Sequence, residues 1–402
     1  MSKQNIFFEI ASSQINKHGE ELCGDSIISS QNSTDSTVIL SDGLGSGVKA
    51  NILATLTSRI ISVMLKKGCE LDDVVETLIA TLPTCSYRKL AYSTFSIAKF
   101  YQSGQVHLFE YDNPPAIIIK KNKLYPVQYD VHEIHGKKIN EIILKAEVGD
   151  WYIFMSDGEV HAGIGGIWNL GWSWERIAEF VESFVKKQIT AADLAFELTN
   201  IATQLYASKP GDDTSVAVVK VREKQTVKVM IGAPANAELD NFVVDRLMSG
   251  KTRKVVCGGT TSNIIGRILK KDVNVIIESI KPGIPPIGMI DGIDLVTEGI
   301  ITISQLLKKL KEQIPQSKSN NVQSHLANSM NMNSGGGGDD GVSLLMKEFL
   351  SADEIILMVG QAINPAHQNP GIPQEFGLKT KITEDIAKTL SKIGKSVELE
   401  YY

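Results

Sequence analysis

The sequence predicts an α+β protein of two domains, the first with mostly antiparallel sheets covered by helices and the second with a partly parallel α/β sheet. The chain has 402 residues, which is long for one compact domain. In the first half, the segments follow the order strands, two helices, strands, two helices, strand, which lacks the alternation of a doubly wound sheet. After a polar break near residues 222–226, short apolar strands alternate with helices. We therefore expect domains at residues 1–222 and 225–402.

Composition and charge narrow the class of protein. Hydrophobic residues make up 43% of the chain and charged residues 22%, as in ordinary globular proteins. The net charge of −5 offers no basic surface to a nucleic acid. The cysteines form no C-x-x-C pair, and the N-terminal segment lacks the apolar core of a signal peptide. No apolar stretch approaches the length of a membrane-spanning helix, so we expect a cytoplasmic protein without nucleic-acid or membrane partners.

In the first half, apolar and β-branched runs are separated by turn residues. The run at 36–41 ends on a glycine-rich turn at 42–47, and a long helix is predicted to follow at about 48–66. Apolar residues recur at helical spacing along this helix, and we expect them to pack in the core: Ile52, Leu56, Ile60, Val63 and Met64. The other predicted helices lie at about 71–82, 173–187 and 190–206. The predicted strands lie at 5–15, 25–30, 36–41, 93–101, 105–111, 116–120, 123–127, 151–155 and 214–221.

The second half alternates strands and helices more regularly. Strands are predicted at 227–231, 254–257, 274–278 and 355–359, and helices at about 236–249, 261–270, 303–313, 341–351 and 383–394. Between the last two strands, residues 314–340 are polar and rich in Asn, Ser and Gly, which predicts a flexible insertion. A mobile lid is the alternative reading of this insertion.

Four aspartates in the first half share one setting, because each lies at the end of a strand beside a glycine. Each motif alone is typical of a turn. Together they indicate a site, since strands deliver side chains to defined points and glycine leaves room for an ion. Oxygen ligands without His or Cys favour Mg²⁺ or Mn²⁺ over zinc. The four are Asp25, Asp42, Asp157 and Asp212.

The order of these motifs resembles the protein phosphatase 2C (PP2C) superfamily, and most closely its bacterial branch, typified by the stage II sporulation phosphatase. The resemblance covers about residues 10–222 and includes a glycine-rich turn that leads into a long helix. The matching segments are Gly24-Asp25, Ser41–Gly47, Thr94–Ala98, Gly149–Gly158 and Gly211–Ser215.

The resemblance implies an αββα sandwich, with two Mn²⁺ or Mg²⁺ ions between two antiparallel sheets. It implies that Asp42 bridges both ions, that Asp157 and Asp212 serve one ion, and that Asp25 and the carbonyl of Gly43 serve the other. Asp42 and Asp157 would act in catalysis through a metal-bound water. The implied activity is hydrolysis of phosphoserine and phosphothreonine in a protein, and paired cations suit this slow reaction because they activate water and neutralise phosphoryl charge.

Two features depart from other members of the superfamily. Leu44 occupies the place where many eukaryotic members carry a histidine, and no counterpart of their phosphate-binding arginine is evident. His18 is close to Asp25 in sequence, but a single loop histidine is usually only solvated. The helices predicted at 48–66 and 71–82 resemble a partner-controlled switch of the bacterial branch, which we keep as a hypothesis beside their packing role.

The second domain has three candidate ligand-binding segments. Gly258, Gly259 and Thr260 form a strand-to-helix turn that could hold an anion or serve only as a capped turn. Asp291 and Asp294 lie in a glycine-containing loop, and Asn364 lies in a Pro-rich segment after a strand. Convergence of these segments would make a sensor for a small molecule, whereas scaffolding or homodimerisation is equally open.

Three functions follow from these patterns. The first is a metal-dependent serine/threonine protein phosphatase in bacterial signalling, regulated through its C-terminal domain by a small-molecule or protein regulator. The second is a pseudophosphatase that signals by binding alone. The four intact aspartates argue against this second function. In the third, the α/β domain is the main catalyst and the first domain regulates it.

Overall fold

The computed structural model describes residues 5–81, 93–164, 170–276, 286–313, 340–362 and 374–402. Contacts divide the chain into two compact units, Met1–Glu223 and Lys224–Tyr402. The division lies within the polar segment at 222–226. Each unit is described by itself.

The first unit contains eleven strands and five helices among its described residues. The strands are β1 (Ile6–Ile15), β2 (Asp25–Gln31), β3 (Asp35–Gly43), β4 (Ser93–Tyr101), β5 (Gln105–Tyr111), β6 (Ile117–Lys120), β7 (Lys123–Leu124), β8 (Asp130–Ile134), β9 (Lys137–Lys145), β10 (Trp151–Met155) and β11 (Thr214–Glu223). The helices are α1 (Gly47–Lys66), α2 (Leu71–Thr81), α3 (Asp157–Val160), α4 (Trp174–Phe184) and α5 (Ala191–Leu205).

These strands form two antiparallel sheets. Sheet A has the order β1-β11-β10-β6-β7, and sheet B has the order β2-β3-β4-β5-β9-β8. Side chains from both sheets share one core that includes Phe8, Phe100 and Tyr152. Helices α1 and α2 pack on the other face of sheet B, and α4 and α5 pack on the other face of sheet A. The predicted αββα sandwich is confirmed.

The face through which helix α1 packs only partly matches the predicted one, because Ile60 and Met64 pack against the core but the other three predicted residues are exposed. Its buried residues include Ala50, Ala54 and Ile61, whereas Ile52 and Leu56 are exposed. Small residues allow α1 to lie close to sheet B, so the larger apolar side chains are left outside. The expectation that no stretch approaches membrane-spanning length is also wrong for α1, which has 20 residues and a hydropathy of 1.3. That match concerns length and composition alone, and the helix contacts β2 and β3 in the folded unit.

Seven further strands lie in the described part of the second unit. They are β12 (Thr226–Ile231), β13 (Arg253–Cys257), β14 (Asn274–Ile276), β15 (Ile287–Met289), β16 (Leu295–Thr297), β17 (Glu354–Val359) and β18 (Ser396–Tyr401). A short 3-10 helix at Ala237–Leu239 precedes the helices α6 (Asp240–Met248), α7 (Gly259–Leu269), α8 (Ile300–Gln313), α9 (Gly341–Ser351) and α10 (Gln374–Lys392). The predicted flexible insertion at 314–340 lies outside the described residues except for Asp340, whose side chain caps α9.

The seven strands form one sheet with the order β14-β15-β16-β13-β12-β17-β18. The five strands from β16 to β18 in this order are parallel, and β15 runs antiparallel to both of its neighbours, β14 and β16. Helices α8, α9 and α10 enclose the apolar core on one face, and α6 and α7 enclose the core on the other. The predicted α/β fold with a partly parallel sheet is confirmed. Strands β13 to β16 lie on one side of β12, and the later strands β17 and β18 lie on its other side. Open α/β sheets commonly bind ligands where the strand order switches sides in this way.

Candidate metal centre

A buried and a half-buried carboxylate face each other at one end of sheet B. Asp25 begins β2 and lies directly opposite Asp42 near the end of β3. The backbone N–H of Gly43 donates a hydrogen bond of 3.2 Å to the carbonyl oxygen of Gly24, which holds the two strand ends together. Asp42 shares its side of the strand with Val38 and Leu40 in the core between the sheets. Both carboxylates therefore point between sheets A and B.

Sheet A brings further carboxylates to the same place. Asp157 directly follows β10, and Asp212 and Asp213 directly precede β11, which pairs with β10. Two hydrogen bonds of 2.9 Å between Ser156 and Ser215, one in each direction, hold the end of β10 against the start of β11. The structure therefore brings all four predicted aspartates to one edge of the sandwich.

The charges of this group act on one another. Burial raises the pKa of Asp42 well above its ordinary value, and the neighbouring carboxylates of Asp25, Asp157 and Asp212 raise it further. Burial also raises the pKa of Asp25, against the opposing effect of the Ser215 and Ser156 hydroxyls. Burial and the charge of Asp157 raise the pKa of Asp212. Such a cluster is unfavourable as a set of bare anions and favours a bound cation.

The donor set fits divalent cations. Among the described residues, one carboxylate oxygen of Asp25 and one of Asp213 are buried without a hydrogen-bond partner. Buried polar atoms are normally paired, so these orphaned oxygens indicate a ligand. Oxygen donors alone suit Mg²⁺ or Mn²⁺. The role of each aspartate as a metal ligand stays a prediction.

The site is closed on one side and open on the other. Asp25 is only 3% exposed, whereas the side chains of Asp157 and Asp212 are 47% and 39% exposed. A ligand can therefore reach the cluster from the side of Asp157 and Asp212, while sheet B and α1 close the opposite side.

Two glycines of the site are required by close backbone contacts. A Cβ atom on Gly158 would lie 2.1 Å from the carbonyl oxygen of Asp213, and Tyr206 donates a hydrogen bond of 2.8 Å to the carbonyl of Gly158. A Cβ atom on Gly43 would lie 2.1 Å from the carbonyl oxygen of Ala50 in α1. The glycines that identified the motifs thus allow α1 and the start of β11 to approach the aspartates.

The sequence patterns missed three residues beside the cluster. Asp213 accepts a hydrogen bond of 3.0 Å from the backbone N–H of Lys17, whose ammonium group lies 3.9 Å from Asp212. Glu159 in α3 is fully buried, and this burial raises its pKa to about 8. The second of two consecutive aspartates at 212–213 could have been recognised in the sequence as a further candidate, which is Asp213. Nothing in the sequence distinguishes Glu159 from an exposed helical glutamate. His18 is tied to Pro210 through its backbone N–H, at 2.8 Å.

The candidate residues of the second unit do not all converge. Gly258 has a φ of 126° and precedes α7 at the carboxyl end of β13, followed by Gly259 and Thr260. Asp294 instead pairs with Lys254 through two hydrogen bonds, at the beginning of β13. Asp291 forms an exposed ion pair with Lys271.

Asp291 and Asp294 therefore lie at the opposite edge of the parallel sheet from Gly258. The predicted convergence is wrong for these two residues, because the loop that carries them leads into the amino end of β16. Asn364 lies outside the described residues. Instead, Gly232 and Gly360 join Gly258 at the carboxyl edge, since their N–H groups donate to the last residues of β13 and β12 at 3.2 and 2.9 Å.

Residues 32–222, just under half of the chain, match the family of stage II sporulation protein E (SpoIIE), a family of PP2C-type phosphatase domains. The match lies within the first unit, and the resemblance seen in the sequence is confirmed there. None of the curated proteins compared with this chain matches it.

Solved structures of related domains are similar at low identity. The PP2C domain of SpoIIE from Bacillus subtilis, with a fragment of its regulatory domain, is 18% identical, with a TM-score of 0.47, and the match covers 55% of this chain and 64% of that chain. RsbX in complex with magnesium is 20% identical, with a TM-score of 0.39, over 53% of this chain and 95% of that chain. A serine/threonine phosphatase of S. agalactiae is 15% identical, with a TM-score of 0.38, over 53% and 99%.

Proposed function

We propose that the first unit is a Mn²⁺- or Mg²⁺-dependent protein phosphatase that hydrolyses phosphoserine and phosphothreonine in bacterial signalling. The observation that carries the proposal is that Asp25 and Asp42 lie opposite each other on β2 and β3, between the sheets and beside the charges of Asp157 and Asp212. The match to the SpoIIE family supports the same activity.

The position of each aspartate in the cluster suggests which cation it would bind. Asp42 lies centrally, because the charges of the other three aspartates all raise the pKa of its carboxyl. Asp42 would therefore bind both cations. Asp25 and the carbonyl of Gly43 would hold the inner cation, and Asp157 and Asp212 the outer one. Two divalent cations bound here would supply Lewis-acid activation of water and charge neutralisation at the phosphoryl group. Lys17, beside Asp212, would help to orient the phosphate at the open side.

Phosphate release from a phosphothreonine peptide tests this proposal on the full chain. We expect release that requires Mn²⁺, stops with a chelator and falls to background in Asp42→Asn and Asp157→Asn. Asp73→Asn is the matched control, because Asp73 is an exposed carboxylate in the first turn of α2. Phosphate release that survives both cluster substitutions would contradict the proposal. Binding of Mn²⁺ without release would favour the pseudophosphatase.

We further propose that the second unit regulates the first through a ligand at the carboxyl edge of its sheet. Gly232, Gly258 and Gly360 lie at this edge beside β12, which is the position at which α/β sheets commonly bind small molecules. A change in phosphatase rate after removal of residues 224–402 would support regulation. Equal rates for the full chain and residues 1–223 would contradict it.

A further inference from the structure

A second group of metal-binding side chains lies on sheet B, on the face that α1 and α2 cover. One ligand atom from each of three residues, in α2, β5 and β9, lies within 4.8 Å of the others, and a second imidazole in β8 lies 2.6 Å from the same glutamate. We call this group the histidine–carboxylate cluster. Asp72, His107 and Glu141 hold the mutually close ligand atoms, and His132 joins them through its contact with Glu141.

Strand register explains why these side chains meet. His107 lies opposite Ile143, two residues along β9 from Glu141, so both point to one face of the sheet. His132 lies opposite Ile139, two residues in the other direction, and points to that face as well. The two imidazoles therefore flank the carboxylate of Glu141, with each Nε2 atom 2.6 Å from one of its oxygens.

Helix α2 adds the fourth member. Asp72 is in the first turn of α2, next to Leu71, which is buried in the core between α2 and sheet B. That core fixes the first turn of the helix over β5 and β9. The carboxylate of Asp72 thus approaches the cluster from the helix side, opposite the strands.

Charge favours a cation at this place. Asp72 and Glu141 bring two carboxylates within 4.8 Å of each other, and Asp130 lies directly opposite Glu141 on β8. Like charges at this separation repel strongly where water is partly excluded. The side chains of His107 and Glu141 are only 11% and 16% exposed. Lys99, opposite His107 on β4, is the basic residue that faces the group from that side, and its ammonium lies 5.0 Å from the ring of Tyr101.

We propose that the histidine–carboxylate cluster is a second metal site, which takes a borderline cation such as Zn²⁺ and fastens the start of α2 to sheet B. One imidazole and two carboxylates, from His107, Asp72 and Glu141, are a donor set for tetrahedral Zn²⁺ with a water in the fourth position, and His132 would orient Glu141, whereas Mg²⁺ and Mn²⁺ prefer oxygen alone. The two sites of this unit therefore differ in metal preference. This inference does not depend on phosphatase activity.

Cobalt binding to the full chain tests the second site, because tetrahedral Co²⁺ absorbs visible light strongly and substitutes for Zn²⁺. With excess Mg²⁺ to fill the aspartate cluster, we expect a visible band that saturates at one equivalent of Co²⁺ and disappears when Zn²⁺ is added. We also expect Zn²⁺ to raise the melting temperature under the same conditions.

Matched variants decide which residues bind. Asp72→Asn should weaken Co²⁺ binding by more than the roughly 10–100-fold loss typical of a residue that only supports a ligand, and His132→Gln, at a half-exposed position, should weaken it by about that supporting amount. Glu76→Gln, an exposed acid one turn along α2 from Asp72, and Asp42→Asn should leave the band unchanged. Absence of the band from the unmodified chain would overturn the proposal. A band that Asp42→Asn abolishes and Asp72→Asn preserves would do so equally.

Discussion

Gly43 lies against Ala50, because a Cβ atom on Gly43 would stand 2.1 Å from the carbonyl oxygen of Ala50. The turn that follows Asp42 is therefore in backbone contact with the first turns of α1. A shift of α1 along sheet B must move this turn, and with it the carboxylate of Asp42. The contact gives a physical basis to the hypothesis that α1 and α2 act as a switch.

Gly43→Ala should separate β3 from α1. The added methyl cannot fit, so either strand end or helix moves, at a cost of about 1–3 kcal/mol in the free energy of unfolding. Displacement of Asp42 by about 1 Å should lower phosphatase activity by about 10²-fold. Urea denaturation and phosphate release measure the two effects. Gly377→Ala is the control, because its Cβ would meet no atom within 4 Å, and a comparable loss there would contradict the explanation.

Metal binding should stabilise the chain through the aspartate cluster. At about 100 times the dissociation constant, Mn²⁺ should add about 2.7 kcal/mol to the free energy of unfolding. Asp42→Asn removes one of the repelling charges, so the metal-free variant should melt at a higher temperature than the metal-free parent. The same variant should lose the response to Mn²⁺. Thermal melts with and without chelator measure both, and a variant that keeps the full Mn²⁺ response would argue against the site.

Asp212 and Asp213 should respond differently to the same substitution. Asp212→Asn removes a proposed ligand and should abolish activity. Asp213→Asn keeps an oxygen for the N–H of Lys17 and loses only a charge near Asp25, so it should weaken Mn²⁺ binding by roughly 10–100-fold. Isothermal titration with Mn²⁺ and activity at saturating metal compare the two variants. The reverse order of effects would show that Asp213 is the ligand.

Glu159 should make the metal-free protein less stable as pH rises. Burial raises its pKa to about 8, against about 4.3 in an unfolded chain. Its contribution to the free energy of unfolding is therefore full below about pH 4.3 and is lost as the pH rises through about 8. Glu159→Gln keeps the shape and stays neutral, so its advantage over the parent should grow by up to about 1.4 kcal/mol per pH unit across this range.

Urea denaturation at about pH 6 and about pH 8 measures this difference, with chelator present in both samples. Glu179→Gln is a suitable control, because Glu179 is an exposed glutamate in α4. An equal effect of Glu159→Gln at the two pH values would show that Glu159 is ionised in the folded protein.

Two apolar residues of α1 should differ sharply in their effect on stability. Ile61 is completely buried, and Ile61→Ala should cost about 2–5 kcal/mol in the free energy of unfolding. Leu56 is 56% exposed, and Leu56→Ala should change that energy by less than about 0.5 kcal/mol. Urea denaturation compares the variants. A large cost at Leu56 would mean that the outer face of α1 is covered in solution.

Most strands were predictable because they are apolar and lie in the middle of a sheet. Strands β3, β10 and β11 show this clearly, with nearly every residue buried. In β8, the residues from Asp130 to Glu133 are all exposed, and in β9 charged residues interrupt the apolar ones, so neither strand shows a continuous apolar run or a regular alternation. Their pairing depends on β5, which is a tertiary property.

The face of α1 was predicted wrongly in part, at Ile52, Leu56 and Val63, for a related reason. Hydrophobic spacing indicated Ile52 and Leu56, but the helix approaches sheet B through Ala50 and Ala54, because close backbone contact needs small side chains.

The four aspartates were predictable because the strand–glycine setting is local. The burial of Asp213 and Glu159 comes from elements far apart in sequence, and no local pattern records it. The division of the second unit's candidates between opposite sheet edges follows from strand direction, which the sequence did not reveal.

The pairing of β1 with β11 has a consequence for the order in which the chain can fold. Sheet B joins segments that follow one another closely, so it can assemble while the polypeptide leaves the ribosome. Sheet A cannot acquire β1 until β11 has been synthesised, since Ile15 pairs with Thr214 and Ile6 with Glu223. Contacts between such distant segments form slowly, and the waiting strand exposes apolar residues to aggregation. Asp212 arrives with β11, so a nascent chain has no complete metal site until its sandwich can close.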